Sequence, residues 1–431
     1  MSISAEAAST GGFRAVLSSK GFRRLLIGQA VSGLGDWVAT LAFIVAAFAL
    51  THRNQAAVAI VLVLRLVPPI FAAPVGGVVA DRQYRRTIMV TCDLTRAALI
   101  AIVPFVGIGL LYAIAFIHEC LSLFFIPARD ASVPQLVPKR SLPEANGLIL
   151  ASSYGSIPIA ALLFSGLRAV ASHIPSLIPF GHLFRTHPTA FAFFFDSATF
   201  VFSAAMISRL QLERKAREGD IEILQGLMEG IRYVLSHPGL RALASGLIVS
   251  MFGGGVLFAV GIGYITVTLG GNDVAFGWLA ALWGAGMGIG LAIVRLLIKR
   301  GQALVFLAAV LVCGGVLIVM ALLPFLWLAF IAAAVFGAAF SVAILIALTI
   351  AQEVAEDRIR GRIMAGVQML FRVGLGAGAL GIGYLAHRIH KVKILITLDG
   401  NQIGLIAGGI LILLGAVASA GVARPGVWTE D

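Results

Sequence analysis

A chain of 431 residues that is 59% apolar and only 12% charged, with a mean hydropathy of +0.99, carries too little polar composition to cover a water-soluble surface of that size. Its apolar runs repeatedly reach the 18 or so residues that cross a bilayer as a helix, while 49 glycines and little two-residue alternation do not suit a membrane β-barrel. The formal net charge of +12 reads as membrane topology and attraction to anionic lipid, with no sign of a nucleic-acid partner.

In chain order, residues 1–22 are small and polar, and they lack the apolar core and cleavage site of a signal peptide. The first span is therefore expected to stay as an uncleaved anchor. Twelve spans are predicted, at about 23–50, 56–80, 87–105, 107–127, 142–166, 189–209, 241–268, 275–298, 303–323, 326–350, 362–388 and 401–421. Twenty-three of the 32 Lys and Arg fall in segments on one side of these spans and six on the other, which assigns both termini to the cytoplasm. The three cysteines, Cys92, Cys120 and Cys313, each lie within a span, so neither a disulfide framework nor a metal site is expected.

Residues 210–240 divide the chain near its middle. Leu224, Leu227, Met228, Ile231, Val234 and Leu235 recur at helical spacing opposite Glu222, Gln225, Glu229 and Arg232, and HPG (237–239) closes the run. The pattern predicts an amphipathic helix at the cytoplasmic interface. VSGLGDWV (31–38) matches VSMFGGGV (249–256) at four positions, and QLV (135–137) meets QEV (352–354) at nearly the same offset. The expected architecture is all-α: a tail (1–22), a six-helix bundle (23–209), the linker (210–240), a second bundle (241–421) and a tail (422–431), the plan of a secondary transporter built from two repeats.

The stretch GGVVADRQYRR (76–86), between spans 2 and 3, resembles the signature loop of the major facilitator superfamily, through Gly77, Asp81, Arg82, Arg85 and Arg86. GQAVSGLGDW (28–37), CDLTRA (92–97), FFIPARDASVPQLVPKRSLPEANGL (124–148), FDSATFVFSA (195–204), LMEGIRYVLSHPGLR (227–241) and AQEVAEDRIRGRIMA (351–365) resemble, in order, its macrolide-efflux and enterobactin-exporter-like branch. The resemblance implies a conformational latch at the signature loop. Asp81 is expected to pair with Arg129 at the end of span 4, while Arg82, Arg85 and Arg86 either share that role or simply follow the positive-inside rule.

Ionisable groups within spans are expensive in lipid, so each needs a partner or a task. Asp36, after two glycines in span 1, would exchange a proton or contact substrate; the alternative is a pair with Arg65 or a bond to neighbouring backbone. Glu119 in span 4 is a second candidate for the proton or for a cationic substrate, with His118 beside it read as a packed polar residue. Arg372 in span 11 would attract an anionic group or pair with a carboxylate. Asp93 and Arg96, three apart, are expected to pair with each other, and Asp196 is read as packing.

The branch carries a glycine–proline motif in span 5 tied to antiport. Here SYGSIPIAALLFSG (153–166) keeps Gly155 and Pro158 and replaces other glycines, which weakens the antiport reading. The resemblance implies proton-coupled export of an amphipathic drug, siderophore or metabolite by alternating access. The protein would be a monomer in a bacterial cytoplasmic membrane, surrounded by lipid and using no cofactor. The rival readings are a lipid or lysolipid flippase of the same fold, a membrane enzyme, which would need clustered carboxylates or a nucleophile–base pair, and a non-transporting sensor or scaffold.

Overall fold

The computed structural model describes residues 13–66, 68, 84–174, 181–212, 223–354, 360–389, 391–393 and 397–420. Among these, eleven helices are long and apolar enough to cross a membrane, and a shorter apolar helix, Gln55–Leu66, occupies the start of the second predicted span. The rest of that span lies outside the described residues. The helices are α1 (Lys20–Leu50), α2 (Gln55–Leu66), α3 (Arg85–Ile102), α4 (Ile108–Leu136) and α5, in two pieces, Leu142–Tyr154 and Ile157–His173. They continue as α6 (Ala190–Ser208), α7 (Pro238–Gly263), α8 (Asp273–Leu297), α9 (Gln302–Leu322), α10 (Leu326–Val354), α11 (Arg360–Arg388) and α12 (Gly400–Ser419). The amphipathic linker helix is present at Ile223–Ser236, and the imidazole of His237 caps α7 by accepting from the Leu240 N–H at 3.3 Å.

Two regions depart from the predicted loops. The segment expected to be a long loop at 167–188 is partly helical, because α5 runs on to His173 and a short helix covers Gly181–Thr186. Between α11 and α12 the chain makes a two-stranded antiparallel ladder, β1 (Lys391–Lys393) with β2 (Thr397–Asp399), pairing Val392 with Leu398. The alternation in KVKILITLD carries that pattern.

The chain forms two compact units. One comprises Met1–Ala42 and Phe71–Ile221, the other Phe43–Ile70 and Glu222–Asp431. The division falls inside α1 rather than at a loop, and α2 groups with the elements that follow the linker.

Within the first unit, α6 packs on α3, and α3 on α4. Cationic side chains close the helix ends: Arg24 and Arg86 donate to the carbonyls of Arg209 (3.1 Å) and Leu210 (3.3 Å) just past α6, and Arg85 donates to Ala131 (2.7 Å). Within the second unit, glycines set the spacing of the helix pairs. A Cβ at Gly255 or Gly378 would overlap the carbonyls of Leu375 and Phe252, so α7 and α11 touch backbone to backbone. Gly286, Gly290 and Gly337 do the same for α8 and α10. Lipid supplies no hydrophobic drive between helices, and close backbone approach is what replaces it.

Candidate functional site

Three ionisable groups of the first unit, Asp36, His118 and Asp196, converge where α1, α4 and α6 meet. Gly35 permits the approach, since a Cβ there would overlap both Thr199 Oγ1 and Asp196 Oδ1 on α6. The next residue of α1, Asp36, then faces α4. His118 Nε2 lies 3.5 Å from Asp36 Oδ1, with the imidazole 1% exposed and the carboxylate 35% exposed. Asp196 is fully buried, and the Thr199 hydroxyl donates to its backbone carbonyl at 2.7 Å with Oδ1 3.2 Å away. One ligand atom from each of Asp36, His118 and Asp196 lies within 4.8 Å of the other two. Two carboxylates and an imidazole at such spacing can hold a mobile proton or a divalent cation.

A second buried charge pair lies close by on α3. Arg96 Nη1 is 3.5 Å from Asp93 Oδ1, and the guanidinium sits over the rings of Phe125 (4.9 Å) and Phe200 (5.5 Å). The His118 ring also meets Phe200, edge-on at 5.5 Å. Phe200 thus touches both the Arg96 guanidinium and the His118 imidazole. The three-residue cluster sets two carboxyl groups against one imidazole.

α5 breaks beside the same stretch of α1. Pro158 has no N–H to offer the Tyr154 carbonyl, and the chain turns at Gly155 and Ser156 before the helix resumes at Ile157. The Trp37 indole N–H donates to the Ser153 carbonyl at 3.1 Å, and the Ser156 hydroxyl donates to the same carbonyl at 2.9 Å. Both donors land on Ser153, the carbonyl just before the one that Pro158 leaves without a helical partner. The retained Gly155 and Pro158 therefore mark a real discontinuity adjoining Asp36's neighbour.

A family model described as "Transmembrane secretion effector", of the major facilitator type, matches residues 11–423. The chain is a member of that family. Among related proteins, the MFS-type transporter YkuC of Bacillus subtilis is 24% identical over 85% of this chain and 86% of its own length. Another, YfiS of the same organism, is 28% identical over 63% of this chain, an alignment that spans 62% of YfiS. Macrolide efflux protein A of Streptococcus pyogenes is 31% identical over 33% of this chain and 38% of its own length. The nucleoside transporter NupG superposes with a TM-score of 0.74 at 12% identity, covering 94% of this chain and all of NupG. A bacterial homologue of the human lysosomal transporter Spinster, inward-facing and unoccupied, superposes with a TM-score of 0.69 at 15% identity, covering 93% of this chain and 98% of its own. The fold is the all-α major facilitator fold, and the protein is a multi-pass membrane transporter of that superfamily.

In this transporter the sequence-based candidates are distributed unevenly. Asp36 sits in the cluster, but its close partner is His118 rather than the neighbouring Glu119, which is half-buried on an adjacent face of α4. Asp196, read from sequence as packing, is the third member. His118 and Asp196 carry a signal that could have found them: each lies on a buried stripe, with Leu111, Ala115 and Phe125 for the first and Phe193, Phe200 and Ser203 for the second. An ionisable group centred on such a stripe points inward. Arg65 lies over the Phe43 ring at 5.3 Å, and Arg372 is half-buried on α11 in the second unit. Of the signature loop, Gly77, Asp81 and Arg82 lie outside the described residues. Arg129, the expected latch partner of Asp81, donates to Asp130 at 2.8 Å and to Gln29 at 3.2 Å.

Proposed function

We propose that this transporter exports an amphipathic small molecule in exchange for protons across a bacterial cytoplasmic membrane, with both termini on the cytoplasmic side. The observation that carries the reading is the Asp36–His118–Asp196 cluster. Buried charge of one sign is costly, and this trio has two acids with one imidazole between them. A proton on His118 turns the Asp36 contact into an ion pair, and Asp36, the only partly exposed member, is the door through which the proton enters and leaves. Release of the proton leaves a negative cluster that favours either reprotonation or a cationic group on the substrate. Export as the direction is supported by the partial similarity to a macrolide efflux protein.

The test uses everted membrane vesicles with an imposed proton gradient and a panel of amphipathic toxicants, starting with erythromycin. Wild-type protein should accumulate at least one of them, and collapse of the gradient should abolish the accumulation. Asp36→Asn at equal abundance should lower gradient-driven transport by about fivefold or more, the lower end of typical coupling energies. Transport that survives gradient collapse removes proton coupling, and full activity of Asp36→Asn removes the cluster from the mechanism.

A further inference from the structure

Asp36, His118 and Asp196 come from three different helices, and one ligand atom from each lies within 4.8 Å of the other two. The 3.5 Å between His118 Nε2 and Asp36 Oδ1 matches one edge of a metal tetrahedron. Ligand atoms about 2.1 Å from a central ion stand roughly 3.4 Å from each other. Asp196 closes the triangle from α6. Gly35 lets it come so near α1, because a Cβ at that position would overlap Asp196 Oδ1. The Thr199 hydroxyl, 3.2 Å from the same oxygen, steadies the carboxyl group from behind. Carboxylates that ligate metals are commonly held by such outer hydrogen bonds.

Charge favours a dication at this point. Two ionised carboxyl groups carry two negative charges, and a buried net charge is costly. One proton halves that charge, whereas one dication cancels it with a single bound particle. The ligand set then selects among dications. An imidazole nitrogen beside two carboxylate oxygens suits a first-row transition metal. Ca²⁺ takes about six to eight oxygens, and Mg²⁺ keeps several of its waters. His118 and Asp196 are too deeply buried to admit a water shell of that size. Asp36 is 35% exposed, which leaves the fourth position of a tetrahedral ion open to water or to a donor atom on a transported molecule.

We propose that Asp36, His118 and Asp196 bind a divalent transition-metal ion, of the class that Zn²⁺ represents, through three protein ligands with one position left open. Such an ion ties α1 to α4 and α6, so its occupancy holds the first unit in one arrangement. Binding depends on ligand geometry and not on which gradient drives transport. The ion and an exchanged proton would share ligand atoms and exclude each other, a consequence that rests on the function proposed above.

The test is equilibrium binding with no gradient present, so its outcome stays separate from that of the vesicle assay. Untagged full-length protein in detergent, stripped with a chelator, is titrated with Zn²⁺ by calorimetry and with Co²⁺ by visible absorption. A single equivalent should bind in the presence of excess Mg²⁺, Co²⁺ should show the strong visible bands of a four-coordinate ion, and Zn²⁺ should raise the unfolding temperature. His118→Gln and Asp196→Asn should each weaken binding by at least about tenfold, the lower end of what removing even an outer partner of a metal ligand costs. His118→Gln serves alone if Asp196→Asn does not fold. Absence of binding overturns the proposal. Binding of unchanged affinity in the variants also overturns it, since the ion then sits on exposed histidines such as His182 and His187.

Discussion

At the scale of single residues, the site depends on groups that are small or polar where lipid-facing helices are otherwise large and apolar. Gly35 is the sharpest case. Gly35→Ala forces a methyl into Thr199 and Asp196, and it should destabilise the protein by about 1–3 kcal/mol, the range for overpacked interiors. Gly109→Ala, where nothing lies within 4 Å, should be neutral. Thermal unfolding in detergent, followed by loss of the monodisperse species, separates the two. His118→Gln keeps the size and a hydrogen-bonding end but cannot carry the proton. It should retain the folded protein and substrate binding while gradient-driven transport falls to the level of Asp36→Asn. An equally active His118→Gln would leave the imidazole a packing group. Asp36 was readable as a candidate because a carboxylate after GLG in an apolar span is costly without a task. Its partner was not, because adjacent residues of α4 differ by about 100° in direction, and whether His118 or Glu119 meets α1 is set by how α4 is rotated in the unit.

At the scale of elements, the informative features are discontinuities. α5 stops at Tyr154 and resumes at Ile157, and Trp37 from α1 spans the gap by donating to Ser153. Trp37→Phe preserves the ring and removes that donor, so it should cost about 0.5–1.5 kcal/mol, read as a lower unfolding temperature together with faster amide exchange across residues 153–158. Unaltered exchange there would show that the break is held by Ser156 and Gly155 alone. The hydropathy of residues 142–166 reads as one continuous span, whereas Pro158, whose missing N–H frees a carbonyl wherever it lies in a helix, accompanies a break there. The π-turn closing α7 (Tyr264–Thr268) and the short ladder between α11 and α12 had weaker signals, because each is a local answer to where the next helix must begin.

At the scale of the whole molecule, the covalent order and the packing order differ. α2 belongs to the first half of the chain by sequence and to the second unit by contact, seated on Gly263 and Gly383, with the Gln55 amide donating to Asn401 Oδ1 at 2.7 Å. Residues 1–221 and 222–431 expressed as separate tagged chains should therefore co-purify, and Gln55→Ala with Asn401→Ala should reduce recovery of the complex about fivefold, the population effect of roughly 1 kcal/mol. Equal recovery would mean that the apolar part of α2 alone supplies the association.

The amino-acid sequence by itself determined that the chain is a multi-pass helical membrane protein, and its ordered motifs placed it in the major facilitator superfamily. Hydropathy and loop charge act through local composition and need no knowledge of neighbours. Tertiary structure alone decided which charges share a cluster and which amides meet across 346 positions. Helical packing brings together faces whose partners are set by rotation and depth in the bundle, and an uncharged Gln or Asn leaves no trace in hydropathy or charge that would reveal its partner.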